Sequence, residues 1–168
     1  MIRVAGINGN DMVNGEGICV SLFLQGCPHH CPGCFSQKTW DPKGGEPWDW
    51  NNLINHIIEL ITANGIQRNL SILGGEPLDT YEKRDFIKLL LKVIKDKFPN
   101  IKIFLWTGYT FSQLREDTNL IGVGEILNNL DYLIEGPFIL KERDITLKWR
   151  GSRNQNIINM KTGEIENG

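Results

Sequence analysis

The sequence predicts an α/β fold: a partial (β/α) barrel or open curved sheet, mostly parallel, with short N- and C-terminal edge strands. Three observations carry this. Short apolar runs of strand formers alternate with amphipathic stretches in the order strand–helix–strand–helix–strand–helix–strand. Glycines and polar residues follow four of the strand runs, after Leu24, Leu73, Trp106 and Ile134, and parallel α/β folds bind ligands at such ends. The chain has 168 residues, too few for a full eight-unit barrel, which takes about 250.

That length suits one domain with one core, residues 1–168. Hydrophobic residues make up 40% and charged ones 23%, ordinary values for a soluble globular chain. A formal net charge of -2 gives no reason to expect nucleic acid or an anionic membrane as partner. No apolar run is long enough to span a bilayer, and Met1-Ile2-Arg3-Val4-Ala5-Gly6 lacks the apolar core of a signal peptide. A cytoplasmic address is therefore expected. Thiols stay reduced there, so clustered cysteines read as metal ligands or redox groups rather than disulfides.

The elements follow in order. Ile2 to Asn8 is an apolar-leaning edge strand, and Asn8-Gly9-Asn10-Asp11 and Asn14-Gly15-Glu16-Gly17 are turns. Ile18 to Leu24 is a nearly continuous apolar run, the pattern of a buried strand. Trp40 to Trp48, full of Gly, Pro and Lys, reads as surface connection. Trp50 to Asn64 is a helix, because Trp50, Leu53, Ile54, Ile57, Ile58 and Ile61 make one stripe; Asp49 caps it and Asn64-Gly65 stops it. Leu70 to Leu73 is a short strand. Lys83 to Lys97 is a second helix, with Phe86, Ile87, Leu90, Val93 and Ile94 facing inward. Ile101 to Trp106 is a strand, Thr110 with Gln113 forms a capping box, and Gly124 to Leu130 is another helix. Asp131 to Glu135 is a strand, Arg150 to Gln155 a polar loop, and Asn156 to Met160 an edge strand.

Chemistry concentrates in Cys27-Pro28-His29-His30-Cys31-Pro32-Gly33-Cys34, spaced C-x-x-x-C-x-x-C at the end of the first buried strand. Three thiolates are soft ligands that suit zinc or an iron–sulfur cluster. A four-iron cubane held by three cysteines leaves its fourth iron to an exogenous ligand. A zinc site would need His29 or His30 to complete it, and structural zinc sites usually draw ligands from two paired knuckles. Only one compact loop is present here, so spacing places iron–sulfur ahead of zinc while leaving both open. His56, at the border of a helix's apolar face, reads as a surface or packing residue. Cys19, inside an apolar strand, reads as a small buried hydrophobe.

A second motif, Gly74-Gly75-Glu76-Pro77, follows the next parallel strand. Residues without side chains let a ligand approach the backbone, and Glu76 could accept hydrogen bonds from an ammonium group. Taken alone it is a tight turn before a helix. One βα unit after the cysteine loop, it becomes specific.

Together these motifs resemble the radical S-adenosylmethionine superfamily, whose members carry a C-x-x-x-C-x-x-C loop after the first barrel strand and a Gly-Gly-Glu-type motif after the second. Five stretches sharpen the resemblance: Cys31 to Phe35, Ser71 to Leu78, Trp106 to Tyr109, Leu133 to Phe138 and Arg150 to Gln155. They are similar to the branch of that superfamily that activates anaerobic ribonucleoside-triphosphate reductase, over nearly the whole chain. Many members place an aromatic residue just before the third cysteine; here it is Gly33, which agrees with the reductase-activating branch.

The resemblance implies a radical S-adenosylmethionine oxidoreductase. Cys27, Cys31 and Cys34 would hold a 4Fe-4S cluster, one per chain, and S-adenosylmethionine would chelate the open iron through its amino and carboxylate groups. Gly74, Gly75 and Glu76 would line the methionine end, with Glu76 nearest the amino group. Backbone around Gly33 and Cys34, or else Phe35, would contact adenine, and Thr107 and Tyr109 would contact ribose or shape the pocket. A flavodoxin-like donor would supply one electron. The resulting 5′-deoxyadenosyl radical would take hydrogen from a glycine of the reductase, which is the protein substrate. A partial barrel would leave a flank open for that partner, and Arg150, Arg153, Asn154 and Gln155 would either contribute to docking or form an ordinary solvated loop. Glu135 is an acid at a strand end with no role assigned by the resemblance.

Two rivals remain. Gly15-Glu16-Gly17 before the buried strand is similar to a feature of 7-carboxy-7-deazaguanine synthase-like enzymes, another small branch of the superfamily, although that branch lacks the Arg-Gly-Ser-type tail. A zinc-stabilised adaptor without enzymatic activity is the other.

Overall fold

The computed structural model describes residues 1–168. Seven strands form one sheet in the order β3-β1-β2-β4-β5-β6-β7. The strands are β1 (Ile2–Asp11), β2 (Cys19–Leu24), β3 (Glu46–Trp48), β4 (Asn69–Gly74), β5 (Ile103–Trp106), β6 (Tyr132–Glu135) and β7 (Asn156–Asn159). The middle four, β2, β4, β5 and β6, are parallel neighbours, while β1, β3 and β7 run antiparallel to theirs.

Helices α1 (Trp50–Ile61), α2 (Tyr81–Lys97), α3 (Phe111–Glu116) and α4 (Val123–Leu127) connect the parallel strands. These strands follow in chain order across the sheet, so right-handed crossovers put every helix on one face. The core records this: Val20, Leu22 and Leu24 of β2 and Leu70 and Ile72 of β4 bury against Leu53 and Ile57 of α1 and Phe86 and Leu90 of α2. Each such side chain contributes about 1.5–3 kcal/mol on burial. The alternate residues, Phe23, Leu73 and Trp106, point to the other face, where the C-terminal segment forms a cover.

Local signals set the helix ends. Asp49 accepts from the Asn52 amide at the start of α1, which ends at Ile61 with Thr62 as its C-cap, short of the expected Asn64; Asn64 and Gly65, with left-handed φ values of 58° and 72°, belong to the tight turn that follows. Thr110 and Gln113 form the reciprocal capping box of α3. Helix α2 begins at Tyr81, two residues before the expected Lys83, because Thr80 caps it. Leu91 rather than Val93 joins its fully buried face.

The N-terminal region differs from expectation. β1 is not an edge strand: it lies between β2 and β3 and continues through Asp11, with irregular register between Asn8 and Asp11. The turn starts at Asp11, whose carboxylate accepts from the Val13 and Asn14 amides and the Ser21 hydroxyl. The edge is β3, inside the stretch read as surface connection. Pro47 is tolerated there because an edge strand has no outer neighbour to receive an N–H, and it pairs with Arg3. β7 is an antiparallel edge, as expected. No helix is long and apolar enough to cross a membrane.

Candidate active site

The four parallel strands end side by side, and the loops that leave them interlock. Gly75 donates to the carbonyl of Leu24, and Glu76 donates to that of Gly26, so the second loop rests on the start of the cysteine loop (both 2.8 Å). Gly26 and Cys27 in turn donate to Thr39 and Trp40, which closes the cysteine loop on itself. Thr107 donates to Ile134 and Gly136 to Tyr109, joining the third loop to the fourth.

The two glycines of the second loop have a packing reason. Gly74 has φ +114°, and a Cβ there would fall 2.5 Å from the Leu24 nitrogen. A Cβ on Gly75 would overlap the Gly26 carbonyl oxygen. Both glycines also line the cavity between the loops, but the close approach they permit is first that of backbone to backbone.

Glu76 is the hub of the arrangement. It is fully buried, and four donors from three loops meet its carboxylate. Oε1 accepts from the Leu78 amide and Oε2 from the Gly108 amide (2.9 and 2.8 Å). The Thr107 hydroxyl reaches both oxygens, and His29 Nε2 lies 2.7 Å from Oε2. Behind it, Lys83 Nζ donates to the carbonyls of Gly26 and Glu76 (both 2.9 Å) and to Asp79 Oδ1 (2.8 Å). One ammonium thus ties the start of the cysteine loop to the second loop. Burial holds the Asp79 carboxyl above its usual range even though Lys83 opposes the shift.

Cys27, Cys31 and Cys34 line one cavity of about 150 Å³, together with His29, Glu76 and Thr107. Burial pushes the Cys27 thiol up. Both nearby imidazoles are engaged elsewhere: His29 with Glu76, and His30 in a stack on Trp40 with ring centres 4.5 Å apart. Cys19 is fully buried at the opposite end of β2, its thiol directed to the Glu16 carbonyl and raised by burial. The donor set, three soft thiols on one loop and none nearby to make a fourth, fits a 4Fe-4S cluster with one iron left for another ligand.

Residues 13–158 match the family described as a 4Fe-4S single cluster domain. The chain is 35% identical over 145 residues to the anaerobic ribonucleoside-triphosphate reductase-activating protein of Vibrio cholerae, covering 86% of this chain and 90% of that one. It is 34% identical to the protein of the same name from Escherichia coli over 146 residues, again 86% and 90%. A third relative of that name, from Enterobacteria phage T4, is 34% identical over 149 residues, 88% of this chain and 87% of its own. The chain belongs to the anaerobic ribonucleoside-triphosphate reductase-activating protein family.

In this activating-protein chain, Cys27, Cys31, Cys34, Gly74, Gly75, Glu76 and Thr107 come together around the small cavity. Gly33, Phe35 and Tyr109 stand outside its lining. Leu140 packs where a side chain on Gly33 would go. Phe35 is 67% exposed, lies under the Arg143 guanidinium at 4.6 Å, and lines a second cavity of about 650 Å³ that also touches Cys34. Tyr109 packs edge-on against His29, and burial, with the Glu76 and Asp79 charges, pushes its phenol up to about 12.

Other singled-out residues have structural tasks. Glu135 accepts from the Phe111 amide at the start of α3 and from Asn156. Asn154 and Gln155 donate to the carbonyls of Pro137 and Gly136, and Arg150 to those of Gln155 and Asn167. His56 stacks on Trp48. Gly15-Glu16-Gly17, the cue for the rival branch, is a packed turn: a Cβ on Gly15 would fall 2.8 Å from Cys19 Sγ, and Glu16 pairs with Lys102.

Sequence reasoning named His29 only as a possible zinc ligand, not as the partner of Glu76, and missed Lys83. Lys83 left one signal, a lysine in the first turn of a helix, where the macrodipole disfavours a cation. It also missed Trp149, which holds a left-handed φ of 56°, donates from Nε1 to the Gly15 carbonyl and accepts from Trp106 Nε1. Trp149 thereby fastens the C-terminal cover across the sheet.

Proposed function

We propose that this protein activates anaerobic ribonucleoside-triphosphate reductase by generating a glycyl radical on it, through reductive cleavage of S-adenosylmethionine at a 4Fe-4S cluster. The observation that carries this is the single cavity lined by the three cysteines of one loop and by Gly74, Gly75 and Glu76 of the next. A bound cluster would supply one-electron reduction of the sulfonium, the chemistry by which S-adenosylmethionine would be cleaved and hydrogen removed from the reductase glycine.

The chain's own residues prepare the site. Cys27, Cys31 and Cys34 would hold the cluster, and Gly74, Gly75 and Glu76 of the second loop line the same cavity. Lys83 and Glu76 lock the two loops together, so that ligand and cluster meet in fixed geometry. The neighbouring cavity of about 650 Å³ begins at Cys34, and its mouth carries Phe35 and Ile145, 67% and 82% exposed. Phe35 would be available to adenine, and this mouth, flanked by Arg143 and Lys148, would admit the partner's glycine segment. On this reading the seven-stranded sheet, parallel in its middle, corresponds to the partial barrel of the superfamily and residues 1–168 make one domain. A cytoplasmic address and a flavodoxin-like electron donor accompany this reading.

Electron paramagnetic resonance tests it. Anaerobically reconstituted, reduced protein mixed with S-adenosylmethionine and the reductase gives a glycyl doublet. Zinc at one per chain, without broad visible iron–sulfur absorption, overturns the proposal.

A further inference from the structure

The carboxylate of Glu76 has no acceptor position to spare. An ionised carboxylate offers about four lone-pair sites, and four donors already occupy it: the Leu78 and Gly108 amides, the Thr107 hydroxyl and His29 Nε2. Two of these are backbone groups of the second and third loops. The Thr107 hydroxyl is buried and itself accepts from the Tyr109 amide. They cannot leave without dismantling the loops that form the cavity.

His29 is different. It sits on a rotatable side chain between the first two cysteines and keeps 19% of its surface exposed. It also lines the cavity itself. Its ring lies against the Gly108 backbone, where a Cβ would fall 2.6 Å from Cδ2, and edge-on to Tyr109 with centres 4.6 Å apart. An amino group arriving through the cavity can donate to Glu76 only at the lone pair that His29 holds.

We propose that His29 is a displaceable latch on Glu76: it fills the carboxylate's exchangeable position and gives it up to an N–H of the α-amino group of an amino-acid-bearing ligand. This rests on the proposed function, in which that ligand is S-adenosylmethionine. Displacement turns the imidazole out of the cavity and couples ligand arrival to the segment between Cys27 and Cys31. His29 is on this account a positioning residue that selects for ligands carrying an α-amino group.

The test compares S-adenosylmethionine with the same sulfonium nucleoside lacking its α-amino group, by equilibrium binding to the reconstituted holoprotein. In His29→Ala, S-adenosylmethionine binds about tenfold tighter, the worth of one hydrogen bond to a charged group, while the desamino compound is unchanged. His29→Gln, whose amide N–H can restore the donor, returns the ratio toward wild type. Equal shifts for both ligands, or selective weakening of S-adenosylmethionine in His29→Ala, overturn the latch. Wild-type holoprotein that binds neither ligand overturns the functional reading with it. If His29→Ala does not hold its cluster, the wild type decides: carbethoxylation of His29 speeds up with S-adenosylmethionine but not with the desamino compound, and equal rates overturn the proposal.

Discussion

Gly75 and Gly26 lie backbone to backbone at the seam between the cysteine loop and the second loop, too close for a Cβ on Gly75 to clear the Gly26 carbonyl oxygen. Glu76 donates to that same oxygen, as does Lys83 Nζ. Gly75→Ala therefore prises the loops apart where the first cysteine begins. The variant is expected to retain helical circular dichroism but to lose at least half of its iron on anaerobic reconstitution. Gly124→Ala, with open space at its Cβ position in α4, is the control. It should keep its iron and gain up to about 1 kcal/mol from the better helix former.

Removing the hub leaves three loops without their common acceptor. Glu76→Ala strands the buried Thr107 hydroxyl and the amides of Leu78 and Gly108. Stranded buried donors cost about 1–3 kcal/mol each, less where water enters. Urea unfolding of the apoprotein should show a loss of about 3 kcal/mol. A loss under about 1 kcal/mol would show that Glu76 does not hold the loops.

Lys83 and Asp79 form a mostly buried pair, 9% and 15% exposed, so the charge removed from one is felt by the other. Lys83→Met should destabilise by about 3 kcal/mol, because Asp79 keeps its charge without a partner. Adding Asp79→Asn should recover about 1–2 kcal/mol in a double-mutant cycle. Additive effects would mean the two side chains act independently.

Tyr109 sets an alkaline limit. Its phenol is raised from 10.0 to about 12, so the stability contributed by the neutral ring is complete below about pH 10 and is lost as pH rises through 12. Ultraviolet titration of the phenolate should show this late ionisation. Tyr109→Phe should flatten the stability curve across that window. A phenol that ionises near pH 10 would contradict the burial beside Glu76.

Trp149 joins the C-terminal cover to the rest of the molecule through Gly15 and Trp106. It also packs edge-on against Phe104 and Tyr132. Trp149→Ala should open the cover: limited proteolysis between residues 140 and 155 accelerates at least tenfold, while cleavage elsewhere stays at the wild-type rate.

Local pattern was enough for much of this protein. The stripe of Leu53, Ile54, Ile57 and Ile61, the caps at Asp49 and Thr110, and the apolar run of β2 were legible because period and capping act within a few residues. The spacing of Cys27, Cys31 and Cys34, with Gly74-Gly75-Glu76 one unit later, was legible for the same reason. β3 was not. Glu46-Pro47-Trp48 has no strand pattern of its own and forms a strand because Ile2, Arg3 and Val4 offer it an edge.

The alternation of strands and helices, the three clustered thiols and the place of both motifs at strand ends could be read from the chain alone. Folding in three dimensions fills Glu76 with donors from three loops, makes Gly75 a glycine for the sake of Gly26, brings Lys83 to the site and turns His29 toward Glu76. The contacts that cross from one loop to another join residues 31 to 57 positions apart. No short-range pattern encodes such pairs, because a buried polar group needs a partner without specifying where in the chain that partner lies.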